Sequence, residues 1–164
     1  MKKLIVGVVL LGGALVLGLI GLAMATNTDN HTVTVQVQAI NEAAISGGNL
    51  TLTINTATAG SEPDDAVDNT TCDLAWTTNE ATKKITVETD LLAPTFTLKV
   101  LAQNVTGGTA AAEVTLSTTG ANDFVTAISK ITGGCDLQYT ASATAAQGTG
   151  SDVHTVTYTL TAGP

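Results

Sequence analysis

The sequence predicts an all-β protein, an antiparallel two-sheet sandwich of about eight strands, on three observations. Short runs such as Thr32–Ile40 (TVTVQVQAI) and Leu50–Ile54 (LTLTI) alternate apolar residues with threonine or glutamine. That is the period of a strand with one dry face. Clusters of Gly, Ser, Asn and Asp interrupt these runs at short intervals, as turns do. A six-residue motif also occurs twice, as CDLAWT at Cys72–Thr77 and as CDLQYT at Cys135–Thr140. In both copies the cysteine, the leucine and the aromatic residue (Trp76 or Tyr139) fall on one face of an extended chain, so Trp76 and Tyr139 are expected in the core. A closed barrel is the other architecture compatible with this pattern.

The two motifs are 63 residues apart, and the same offset aligns Thr32–Ile40 with Thr95–Gln103 without a gap. With small slips, Leu50–Ile54 matches Val114–Thr118, and Ile85–Thr89 matches Val156–Leu160. An internal duplication with halves 31–90 and 94–161 accounts for these matches; the alternative is chance recurrence in a chain rich in threonine and valine.

Taken in order, the chain opens on a processing segment. Met1-Lys2-Lys3 is basic, Leu4–Leu22 is apolar, and Ala23-Met24-Ala25 has the small-x-small form of a cleavage site. Residues 1–25 therefore read as a signal peptide, and 26–164 as a single domain. The apolar run is also long enough for a retained membrane anchor. Thr26–Asn30 is a polar leader. Strand one is expected over residues 31–40, with Val33, Val35, Val37 and Ala39 on one face. Ser46–Asn49 is a turn, and Leu50–Thr56 is strand two. The acidic loop Gly60–Asp68 precedes the Cys72 strand, and Lys84–Thr89 is strand four. After Leu91–Pro94, strands follow at Thr95–Gln103 and Glu113–Thr118. Phe124, Ala127, Ile128 and Ile131 recur at helical spacing between Asn122 or Asp123 and Gly133-Gly134, which predicts one short helix near 122–131. The Cys135 strand and a last strand, His154–Thr161, complete the chain.

Charge narrows the choice of partner. The chain carries 14 acids against 6 basic residues, a net charge of −8, and beyond residue 25 the only strong bases are Lys83, Lys84, Lys99 and Lys130. This opposes binding to nucleic acid or to anionic lipid; membrane association is expected only through a retained N-terminal segment. Two cysteines in an exported chain predict one disulfide, Cys72–Cys135, with two buried free thiols as the alternative.

Catalytic patterns are weak. His31 and His154 each open an H-T-V-T stretch and read as strand-edge residues. No serine–histidine–acid pattern or G-x-S-x-G elbow occurs, so a non-enzymatic protein is expected. Glu62, Asp64, Asp65 and Asp68 offer hard oxygens from one loop, the chemistry calcium takes, although the D-x-D-x-D-G spacing is missing and a solvated loop serves as well; no other cofactor is expected. Asp73 and Asp136 occupy equivalent positions on the wet face of the repeated strand. Four N-x-T sequons begin at Asn30, Asn49, Asn69 and Asn104.

With its N-terminal leader, the polar arm Thr26–Asn30, the alternating stretch Val33–Ala39 and the Gly-containing segment Asn41–Gly48 behind it, the chain resembles in architecture the exported β-sandwich subunits of extracellular filaments that assemble by N-terminal donor-strand exchange. The resemblance implies an extracellular or cell-surface structural protein, a pilus-like fibre or coat subunit. It would self-assemble into a homo-oligomer, with strand 31–40 either donated to a neighbour or kept in its own fold. The alternative is a monomeric cell-surface adhesion module recognising carbohydrate or protein.

Overall fold

A computed structural model describes residues 28–116 and 120–164; the expected signal peptide lies outside them. The chain divides into two units, Met1–Gln36 and Val37–Pro164. The second holds every strand found among the described residues.

Among the described residues ten strands form: β1 (Asn41–Ser46), β2 (Ala66–Asp68), β3 (Asp73–Thr78), β4 (Lys83–Thr89), β5 (Thr97–Thr106), β6 (Thr109–Ala110), β7 (Val114–Thr115), β8 (Asn122–Ile128), β9 (Ile131–Ser142) and β10 (Val156–Ala162). One antiparallel sheet runs β1-β3-β9-β5-β7, with β2 also on β9; the other runs β10-β4-β8-β6. This is the two-sheet sandwich expected from the sequence. Alternation sets the inward faces: Leu74, Trp76 and Thr78 of β3 are buried while Asp73, Ala75 and Thr77 are exposed. Leu74, Ile85, Val87, Val100, Phe124 and Leu137 are all but inaccessible and join the two sheets in one core, each contributing about 1.5–3 kcal/mol by burial.

The repeated motifs lie side by side. In the β3–β9 ladder Asp73 sits opposite Asp136 and Leu74 opposite Cys135, so a local pseudo-twofold passes between the two aspartates. The other matched pair behaves alike: β4 and β10 are antiparallel neighbours, with Val87 opposite Tyr158. The sheets are bridged where the Tyr139 and Tyr158 hydroxyls meet at 2.9 Å, and Tyr158 packs on Phe124 with ring centroids 5.1 Å apart.

The first strand departs from expectation. Residues 28–40 belong to no strand. By the 63-residue offset Ile40 should face Asp73, as Gln103 faces Asp136; Ser46 faces Asp73 instead, six residues further along. The segment expected as a loop, Asn41–Gly48, therefore supplies β1. Side-chain bonds hold that register. The Thr78 hydroxyl donates to Asn41 Oδ1 at 2.7 Å, and Asn41 Nδ2 donates to Glu80 at 2.6 Å. Leu50–Ile54 lies along the core with Leu50 and Leu52 half-buried against it, yet enters no ladder.

The expected helix near 122–131 is strand β8. Phe124, Val125 and Ile128 are the buried positions, a spacing that imitates a helical face. Two register shifts against β4, between Lys83 and Ile85 and between Ile85 and Thr86, produce it, and Ala127 takes a left-handed φ of 55°. Bulges rather than helical turns bring those side chains to one side. Among the described residues the one helical element is the 3-10 turn Ala145–Gln147. Gly133, expected to end a helix, lies in β9 opposite Trp76. The indole rests on it: a Cβ there would come within 2.6 Å of the ring. Trp76 Nε1 is buried and has no hydrogen-bond partner among the described residues.

Candidate functional site

Stretches with a dry face pack that face; the N-terminal stretch does not. Val33, Val35 and Val37 are 69%, 83% and 72% exposed, and Ala39 is exposed as well. Three β-branched residues at period two form an apolar stripe that a strand buries on one side. Its base is fixed within the second unit. Asn79 Nδ2 donates to the Gln38 carbonyl at 2.6 Å, Ile40 N donates to Asn79 Oδ1 at 2.8 Å, and Asn79 N donates to the Ile40 carbonyl at 3.2 Å. Ala39 and Ile40 thus stay with the sandwich, and the free stripe is Val33, Val35 and Val37.

β1 has a related peculiarity. Directly opposed residues of a ladder share a face, so Asn41, Ala43 and Ile45 share the inward face of Thr78, Trp76 and Leu74. All six residues of β1 are nevertheless exposed, Ile45 at 48%. Val156, Tyr158 and Leu160 of β10 point to the core yet remain half-buried, whereas Ile85 and Val87 on the neighbouring β4 are fully buried. Core-facing side chains therefore reach solvent along β1 and β10.

The two cysteines form no disulfide: both are free buried thiols, which corrects the expected Cys72–Cys135 bond. The register supplies the reason. Cys135 faces Leu74, and Leu137 N bonds the Cys72 carbonyl, so the cysteines are diagonal neighbours on adjacent strands. Such positions stand about 7–8 Å apart, at or beyond the span of a disulfide. Cys72 Sγ instead lies 3.6 Å from the Gly48 carbonyl. Burial, and then the Asp136 and Asp73 carboxylates, push the Cys135 thiol up to about 12, so it stays protonated and unreactive at neutral pH. The repeated motif places both cysteines on equivalent strands but carries no signal of the offset between them.

Trp76 and Tyr139 are buried in the core. Burial raises the Tyr139 and Tyr158 phenols above their ordinary value. Asp73 and Asp136 face each other on the wet side, taking bonds from Ser46 Oγ at 3.4 Å and Asn104 Nδ2 at 2.6 Å. In the acidic loop, Asp68 accepts from the Thr71 hydroxyl and from the Thr70 and Thr71 amides, and the Thr71 bonds hold its carboxyl below the usual range. Glu62 accepts from Ala145 N at 2.5 Å. Both carboxylates are thus occupied locally, and among the described residues no group of three or more His, Cys, Asp or Glu is placed to share an ion. His154 Nδ1 lies 3.0 Å from Thr89 Oγ1, and His31 is exposed. The four sequon asparagines are all exposed.

Among the described residues, two shallow surface hollows stand out. One, of about 180 Å³, is lined by Glu42–Ala44 and Ala75–Thr77; the other, of about 310 Å³, by Ile40, Thr77–Asn79 and Lys130–Thr132. Each contains a single titratable side chain, Glu42 or Lys130. Among the described residues no helix is long and apolar enough to cross a membrane. No family model, curated protein or solved structure matches this chain.

Proposed function

We propose that this chain is an exported structural subunit that self-assembles head to tail into an extracellular or cell-surface fibre, by donating residues 31–37 to the next copy. One observation carries the reading: Val33, Val35 and Val37 alternate as an apolar stripe whose side chains are left exposed. A stripe of this kind is satisfied when a neighbour covers its side chains and its backbone joins a ladder. Because donor and acceptor are different surfaces of the same chain, the contact is heterologous, and it propagates when the rotation does not close. Export rests on the leader pattern of residues 1–25, and homo-oligomerisation follows from the exchange itself. The reading assigns no catalytic residue. A monomeric binding module would display aromatic side chains, whereas Trp76 and Tyr139 are committed to the core.

Negative-stain microscopy and sedimentation test this. The chain from Thr26 is expected to form fibres, and the same chain lacking residues 26–37 is expected to remain a folded monomer. Fibres from the shortened chain, or a monodisperse full-length chain at high concentration, would contradict it.

A further inference from the structure

We infer that the acceptor for this arm is the open edge of β10, where residues 31–37 of a second copy add a fifth strand to the four-stranded sheet. The inference rests on the donor-strand reading above and names the surface it uses.

The internal symmetry identifies the position. The relation that exchanges β3 with β9 also exchanges β4 with β10. On its far side β4 pairs with β8, a strand of the second half. The equivalent place beside β10 belongs to the first half, and among the described residues no strand occupies it. The residues 63 positions before β8 form the loop around Gly60–Asp65 instead. Beside β10 the sandwich thus lacks the symmetry equivalent of β8, and the lack falls at an edge whose inward residues are half-exposed.

What surrounds that place is apolar on the correct side. β1 approaches β10 across the sandwich, and its inward Ala43 and Ile45 are exposed. By the same symmetry β1 stands to the missing strand as β5 stands to β8, and β5 does contact β8. A strand laid beside β10 would therefore have Val156, Tyr158 and Leu160 at its flank and Ala43 and Ile45 over its dry face. The arm carries the pattern such a strand needs: His31–Val37 reads HTVTVQV and His154–Leu160 reads HTVTYTL, with apolar residues at the same alternate positions. A strand beside its own likeness puts threonines out and apolar residues in along both.

The other edges fit less well. β6 and β7 have two residues each. All six residues of β1 are exposed, so a strand added outside it would lack the half-buried apolar flank that β10 offers.

Disulfide trapping between copies of the full-length chain tests the assignment. Thr34→Cys or Gln36→Cys, on the outward side of the arm, is combined with Thr157→Cys or Thr159→Cys on the outward side of β10. Ala44→Cys, outward on β1, is the comparator. The native thiols are 5% and 4% exposed, and single-cysteine chains measure their background. Oxidised fibres are expected to give a ladder of covalent oligomers from at least one arm–β10 pair, at least tenfold over the arm–Ala44 pair. Fibres with no arm–β10 bond at either position, or with the bond at Ala44, would overturn the β10 assignment while leaving donor-strand assembly in place. A chain that never assembles would overturn both.

Discussion

Val35→Asp is expected to abolish fibre formation while leaving the dilute monomer as stable as the parent. Val35 is 83% exposed and outside the sandwich unit, so the monomer should change by no more than about 0.5 kcal/mol. In the assembled state the same side chain lies at the centre of the inserted stripe. Losing its apolar contact forfeits about 1.5–3 kcal/mol, and desolvating a carboxylate adds several more unless it is paired. Even 3 kcal/mol is roughly a hundredfold in each intersubunit contact, and a fibre needs every contact. Val35→Ile keeps the apolar face and is expected to assemble. Critical concentration by sedimentation, with thermal unfolding of the dilute chains, separates the two effects. Equal loss of monomer stability in Val35→Asp would mean that the arm packs within its own fold.

The second large effect lies in the core. Gly133→Val is expected to destabilise the sandwich by about 3 kcal/mol or more, a large part of the roughly 5–15 kcal/mol typical of a domain. A Cβ at Gly133 would stand 2.4 Å from the Thr106 carbonyl oxygen and 2.6 Å from the Trp76 ring. The oxygen is backbone and cannot swing aside, so β5 and β9 must part or the indole must leave its seat. Gly48→Ala, where nothing lies within 4 Å, should be nearly neutral. Denaturant midpoints of the two variants give the comparison, and a Gly133→Val chain as stable as the parent would refute the seating of Trp76.

The repeated strand shows how far the sequence could be read. C-D-L-x-aromatic-T has strand period and two strong anchors, and both copies form strands with Leu74, Trp76, Leu137 and Tyr139 buried. Period two also marks residues 31–37 as a strand in waiting, but periodicity says only that a face needs covering, not which molecule covers it. The strand that replaces it, Asn41–Ser46, has no alternation to detect, because β1 is held by its backbone ladder to β3 and by Asn41, with neither face packed. β8 was hidden for another reason: Phe124, Ala127, Ile128 and Ile131 recur at helical spacing in the sequence, yet of these only Phe124 and Ile128 are buried, and bulges bring Val125 in beside them. The free thiols depend on a cross-strand offset between Cys72 and Cys135, which is long-range geometry that no local pattern encodes.

The central claim is that the sandwich is completed by a strand from outside, and peptide complementation of the melting curve tests it most directly. A chain beginning at Gln38 retains the whole core and the Asn79 bonds that fix its first residues. A peptide of residues 30–37, binding the folded state alone, stabilises it by about 2.7 kcal/mol at a hundred times its dissociation constant. That corresponds to a rise in melting temperature on the order of 5–10 °C. The account predicts this rise with the native peptide, growing with its concentration, and none with the same peptide carrying Asp at positions 33 and 35. A melting temperature indifferent to the native peptide, or raised equally by the two, would contradict it.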